Sequence, residues 1–198
     1  MKKVYKETIF KPHNLVGRQQ ELREQMCKRL GQEILNGDLK VEPWMLDLDP
    51  SRIKVRKIVG DLECSELGLT SLPTWFQSIE EVTESFDCHN NKLTSLEGSP
   101  QTVGGSFDCS DNKLTSLEGG PQTVGESFDC SDNQLTSLEG SPETVGRSFL
   151  CYNNKLTSLQ GLPKEISGDL WCYNNAKQFS ESDIPKETKI GGKIKFKL

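Results

Sequence analysis

The chain has 198 residues, of which 33% are hydrophobic, and its 29 acidic and 24 basic side chains leave a net charge of −5. Even with its 17 glycines added, the apolar share stays below the ~45–50% of an average globular domain, which excludes a thick core covering both faces of a sheet. No apolar run approaches the ~18–20 residues of a membrane span, and residues 1–7 lack a signal-peptide core, so a cytoplasmic protein with no membrane contact is expected.

Leu22, Met26, Leu30 and Ile34 form an i, i+4 stripe that ends at Asn36-Gly37, predicting a helix over residues 18–36. Its other face is charged, with Arg18, Arg23, Glu24, Lys28 and Arg29. Beyond Pro43 and Pro50, residues 52–56 alternate as a strand does and lead toward the first repeat. Residues 1–60 read as an N-terminal helical cap, because a stack of repeats needs its open core covered. A separate partner-binding element is the other reading.

From there the chain is periodic. Cys88, Cys109, Cys130, Cys151 and Cys172 recur at intervals of 21, with Cys64 lying 24 before the first and only Cys27 outside the series. Each unit carries Phe-x-Cys-x-x-Asn-x-Leu. Side chains two apart on a strand share a face, so Phe86/Cys88, Phe107/Cys109, Phe128/Cys130, Phe149/Cys151 and Leu170/Cys172 should stack inward. Leu62/Cys64 starts the pile and Ile194/Phe196 ends it. Asn91, Asn112, Asn133, Asn154 and Asn175 fall where the chain leaves each strand, and an amide there satisfies exposed backbone groups. The cysteines read as free thiols packed in the core. Zinc sites pair thiolates two to four residues apart, so neither metal nor disulfide is expected. Residues 61–175 are the repeats, and residues 176–198 a diverged capping coil whose Lys193, Lys195 and Lys197 would protect an edge strand.

The unit resembles the leucine-rich repeat signature L-x-x-L-x-L-x-x-N-x-L, with Phe107 and Cys109 in two leucine slots, Asn112 in the asparagine slot and Leu114 after it. The stretch from Leu159 through Leu162-Pro163 to Ile166 is similar to the short bacterial type found in secreted effectors of enteric pathogens and in some tailed-bacteriophage proteins, although the unit here is one residue longer. The ubiquitin-ligase domain that some of those effectors append has no counterpart in the 26 residues after Cys172. The resemblance implies an α+β protein: a right-handed solenoid with a parallel β-sheet on its concave face and a small N-terminal helical cap. Because 21 residues hold no full helix after the strand, the convex side, where Pro100, Pro121, Pro142 and Pro163 sit, should be extended or 3₁₀.

Charge divides unevenly. Residues 1–60 hold 13 basic and 8 acidic side chains for +5, residues 61–175 hold 5 and 18 for −13, and residues 176–198 hold 6 and 3 for +3. On the solvent side of the Phe-Cys strands, one predicted column runs Glu63, Asp87, Asp108, Asp129, Leu150, Trp171. The next runs Ser65, His89, Ser110, Ser131, Tyr152, Tyr173, and the third Glu66, Asn90, Asp111, Asp132, Asn153, Asn174. One end is therefore acidic and the other aromatic. Carboxylates on neighbouring strands repel by about 1 kcal/mol even in water, so either a basic ligand relieves the ladder or recent duplication of near-identical units explains it. Tyr152, Trp171 and Tyr173 break the copied pattern, and such residues anchor interfaces, unless the C-terminal coil covers them or Lys195 stacks on Trp171.

Catalysis is not expected. His13 and His89 are the sole histidines, and neither a nucleophile elbow nor a phosphate-binding loop occurs. Asp108 and Asp129 alone lack the six or more oxygens calcium requires, so no metal or cofactor is expected. Leucine-rich repeats generally present their concave sheet to a protein, which implies a non-enzymatic binding module for a basic partner, with Asp87, Asp108, Asp111, Asp129, Asp132, Tyr152, Trp171 and Tyr173 as the contact set. The alternative is nucleic-acid related, through the basic flanks or through an acid ladder mimicking a phosphate backbone. Direct binding to nucleic acid is the weaker form, since the repeat field repels phosphates. Resemblance to phage-encoded repeats implies a host factor as partner, met in the host cytoplasm.

Overall fold

The computed structural model describes residues 12–197, and side chains from residue 17. The expectation about a signal peptide falls on residues 1–7, outside the described part, as does the side chain of His13. Among the described residues the chain forms one helix, Pro12–Leu30, followed by a β-solenoid of eight coils. Each coil contributes one short strand to each of two eight-stranded parallel sheets. No described helix is long and apolar enough to cross a membrane.

The first sheet runs Ile34–Asn36, Lys57–Val59, Glu81–Val82, Thr102–Val103, Thr123–Val124, Thr144–Val145, Glu165–Ile166 and Lys189–Ile190. The second runs Leu39–Lys40, Leu62–Glu63, Phe86–Asp87, Phe107–Asp108, Phe128–Asp129, Phe149–Leu150, Leu170–Trp171 and Ile194–Lys195. The repeat places like on like: Phe86, Phe107, Phe128 and Phe149 are register partners, as are Val103, Val124 and Val145. Backbone bonds such as Phe107 N–H to Ser127 O and Cys109 N–H to Asp129 O, both 2.9 Å, tie each coil to the next.

Between the sheets lies a thin core. A single coil buries Val103, Phe107, Cys109, Leu114 and Leu117 completely. Five apolar residues per 21 suffice because each is covered by its equivalents above and below. Phe107, Phe128 and Phe149 stack at 5.3 Å with rings 6–7° from parallel. The six ladder cysteines are buried, as the spacing implied, while Cys27 is exposed. The turn between Leu138 and Pro142 holds Gly140 at φ +87°, a conformation that favours glycine.

The asparagines join coils rather than merely closing turns. Asn133 Nδ2 donates to Cys109 O of the previous coil at 3.0 Å and to Cys130 O and Ser131 O of its own coil, and its Oδ1 accepts from Leu114 N–H at 2.9 Å. Asn112 and Asn154 repeat the pattern. Each buried amide thus satisfies backbone groups of two coils at once.

Several expectations shift. The side opposite the Phe-Cys strands is extended, as the spacing implies, but its short strands pair into a second parallel sheet where a single sheet is expected. A 3₁₀ turn appears in that arc at Thr74–Ser78, where Trp75 and Phe76 are buried and Trp75 Nε1 donates to Met45 O at 2.8 Å. The helix ends at Leu30, not 36. Gly31 closes it with an N–H bond to Cys27 O, and Ile34–Asn36 pairs with Lys57–Val59. Pairing sends Leu35 into the core and leaves Ile34 50% exposed, while Leu22 is 57% exposed. Asn36-Gly37 marks the turn between the two strands of the first coil, with Gly37 at φ +87°. Ile53 and Val55 are buried as the alternation implied, but the strand lies just after them. The first coil and the opening strand of the second therefore fall within residues 1–60. At the other end, Phe179 is buried and Ile190, Ile194 and Phe196 pack half-buried over the last full coil.

Candidate functional site

The solvent side of the second sheet carries the first predicted column in register, Glu63, Asp87, Asp108, Asp129, Leu150 and Trp171, and the structure extends it by Lys40 at one end and Lys195 at the other. Lys40 pairs with Glu63 at one end, and Lys195 closes the other. All eight predicted contact residues lie on or beside this face.

The aspartates are held by the turns that follow them. Asp108 Oδ1 accepts from Ser110 N–H at 2.9 Å and Ser110 Oγ–H at 2.7 Å, and Asp129 does the same with Ser131 at 2.9 and 2.6 Å. This Asx geometry gives the column a local structural role that neither reading from sequence included. Burial pushes the Asp129 carboxyl up, against the pull of the Ser131 bonds.

Asp87 differs because His89 stands where its neighbours have serine. Asp87 Oδ1 accepts from His89 N–H at 3.0 Å and lies 2.7 Å from His89 Nδ1. That bond raises the histidine's pKa above its ordinary value. Glu66 Oε1 of the preceding coil is 3.8 Å from His89 Nε2.

The third column has a backbone cause. Glu66, Asn90, Asp111, Asp132, Asn153 and Asn174 all adopt φ between 51° and 59°, the left-handed region in which Asn and Asp are enriched. Asp111 and Asp132 therefore serve a turn as well as the surface. Asn153 Nδ2 donates to Asp132 Oδ1 at 2.7 Å, and Asn174 Nδ2 to Asn153 Oδ1 at 2.6 Å. The sequence signal was present, an Asx-type residue at five of six positions, but the conformation it served was not identified.

At the aromatic end Tyr152 and Tyr173 stack at 4.8 Å with rings 6° from parallel, and Trp171 lies 6.5 Å from Tyr152. All three are half-buried. Lys195 Nζ sits 5.0 Å from the ring centroids of both Trp171 and Tyr173, so the lysine expected to guard an edge is engaged with the aromatic rings.

Comparison of the chain with protein-family models, with curated proteins and with solved structures finds no match.

Proposed function

We propose that this chain is a non-enzymatic, protein-binding solenoid of the leucine-rich-repeat type, right-handed and with the second sheet on its concave side, whose Asp and Tyr/Trp columns take a partner with a basic surface. The observation that carries the reading is the half-buried Tyr152–Tyr173 stack beside Trp171, on a face whose other side chains are mainly polar or charged. Large rings that present one face to solvent supply anchoring area at low conformational cost. The in-register Asp87, Asp108 and Asp129 would steer a cationic partner toward them. Lys195 already lies over Trp171 and Tyr173, the stacking that the sequence set against an interface, so a partner's cation would have to displace it or take the Tyr152 ring. Mimicry of nucleic acid is less well supported, because the in-register run of aspartates ends at Leu150 after three strands. A cytoplasmic partner in a phage-infected host follows from the resemblance of the repeats.

The test is affinity capture on the whole chain and on a Tyr152→Ala, Trp171→Ala, Tyr173→Ala variant, with salt raised in steps. The reading expects a partner retained by the wild type, lost by the variant and released steeply as salt screens the aspartates. Identical captured sets, or capture indifferent to salt, would overturn it.

A further inference from the structure

We propose that Asp87, His89 and Asp108 bind one divalent transition-metal ion of the zinc class. One donor atom from each of these three half-buried side chains lies within 4.8 Å of the other two. Nitrogen and oxygen donors around zinc stand about 2.0–2.2 Å from the ion, so modest side-chain rotation brings the three onto one centre. No other described residues form such a group of three.

The fold creates this convergence at one coil. Asp87 and Asp108 are register partners on adjacent strands, with their side chains on the same face. Two residues on, each aspartate meets the side chain that holds it. Ser110 and Ser131 fill that place in the next two coils, and their hydroxyls donate to the carboxylates. A hydroxyl there is a weak ligand. His89 places an imidazole beside the register partners Asp87 and Asp108, where the next coil has only Ser110 beside Asp108 and Asp129, and it is the only histidine among the described side chains. Asp108 uses Oδ1 on its own turn, which leaves Oδ2 for an ion. Glu66 Oε1, at 3.8 Å from His89 Nε2, is a further oxygen within reach from the preceding coil.

The donor set selects the class of ion. One imidazole with two or three carboxylates suits zinc and its first-row neighbours, whereas calcium takes six to eight oxygens, more than this corner of the face presents. An ion there would neutralise the repulsion between adjacent carboxylates. The site shares Asp87 and Asp108 with the binding reading above, but its test needs no partner protein, so the two can fail separately.

Zinc titration by calorimetry tests it, using the full chain with Cys27→Ser so that the exposed thiol does not compete. The expected result is one equivalent bound, with a thermal midpoint raised by zinc and not by the same concentration of calcium or magnesium. His89→Ser installs the residue of the neighbouring coils, and Asp108→Asn keeps an Oδ1 acceptor for Ser110. Each should weaken zinc binding at least tenfold. Zinc affinity unchanged in both variants, or calcium bound as tightly as zinc, would overturn the proposal.

Discussion

Replacing Asn133 with alanine tests whether the asparagine ladder holds the coils together. In the wild type its amide makes four bonds in a buried position: to Cys109 O at 3.0 Å, Cys130 O at 3.3 Å and Ser131 O at 3.0 Å, and from Leu114 N–H at 2.9 Å. Alanine leaves the Leu114 N–H without that acceptor, which costs about 1–3 kcal/mol where water does not reach. The two amide protons shared among the three carbonyls add about 1–2 kcal/mol in all. The expected loss is therefore about 2–5 kcal/mol, a large part of the ~5–15 kcal/mol that holds most domains folded. Asn175 is the internal control. It makes the equivalent bonds at 3.1–3.3 Å but is only half-buried, so water replaces much of what alanine removes and about 1 kcal/mol is expected. Urea unfolding followed by tryptophan fluorescence reads both, and with a slope of about 2 kcal/mol/M the Asn133 variant should lose about 1–2.5 M in midpoint. A shift at Asn133 below 1 kcal/mol, or equal shifts at the two sites, would refute the claim that the amides bond adjacent coils.

Two further outcomes are expected. With a maleimide under native conditions Cys27 alone should react, because burial pushes the ladder thiols far above their ordinary range, even Cys172 at the end of the pile to about 12. Mass spectrometry should find one label on the folded chain and seven after denaturation, and additional native labels would contradict the buried ladder. Asp129→Asn should stabilise the protein at neutral pH by about 1 kcal/mol, the repulsion of carboxylates one strand apart in water. The sign follows from burial raising the folded pKa of Asp129. Its contribution is complete below the unfolded value of about 3.9 and is lost as pH rises through the folded one, so the gap between variant and wild type should close below pH 4. A gap independent of pH would show that charge is not the cause.

Much of the solenoid is legible in the residues themselves. The 21-residue spacing of Phe107/Cys109 and its copies fixes which side chains stack, since a period repeated without change leaves one in-register solution. The face opposite follows by alternation, which puts Asp87, Asp108, Asp129 and Trp171 on the solvent side. What failed was local. The Leu22, Met26, Leu30, Ile34 stripe has a good helical period, yet Ile34 is a strand residue, because the edge of the first sheet offers Ile34–Asn36 a pairing surface that no helix can use. The second sheet was missed because Thr102–Val103 and its equivalents are two-residue strands, too short to alternate and visible only once coils lie one above another.

The sequence by itself determined the repeat, the inward stack and the acidic and aromatic columns, since these depend on spacing along one chain. Only the tertiary structure decided which of those side chains meet. Asp108 reaches the Asp87–His89 pair, and Lys195 reaches Trp171 and Tyr173, across hydrogen bonds between separate coils. The cause is geometric: neighbours within a coil are set by the peptide backbone, whereas neighbours between coils are set by the register of parallel strands about 4.8 Å apart, a distance unrelated to separation in sequence.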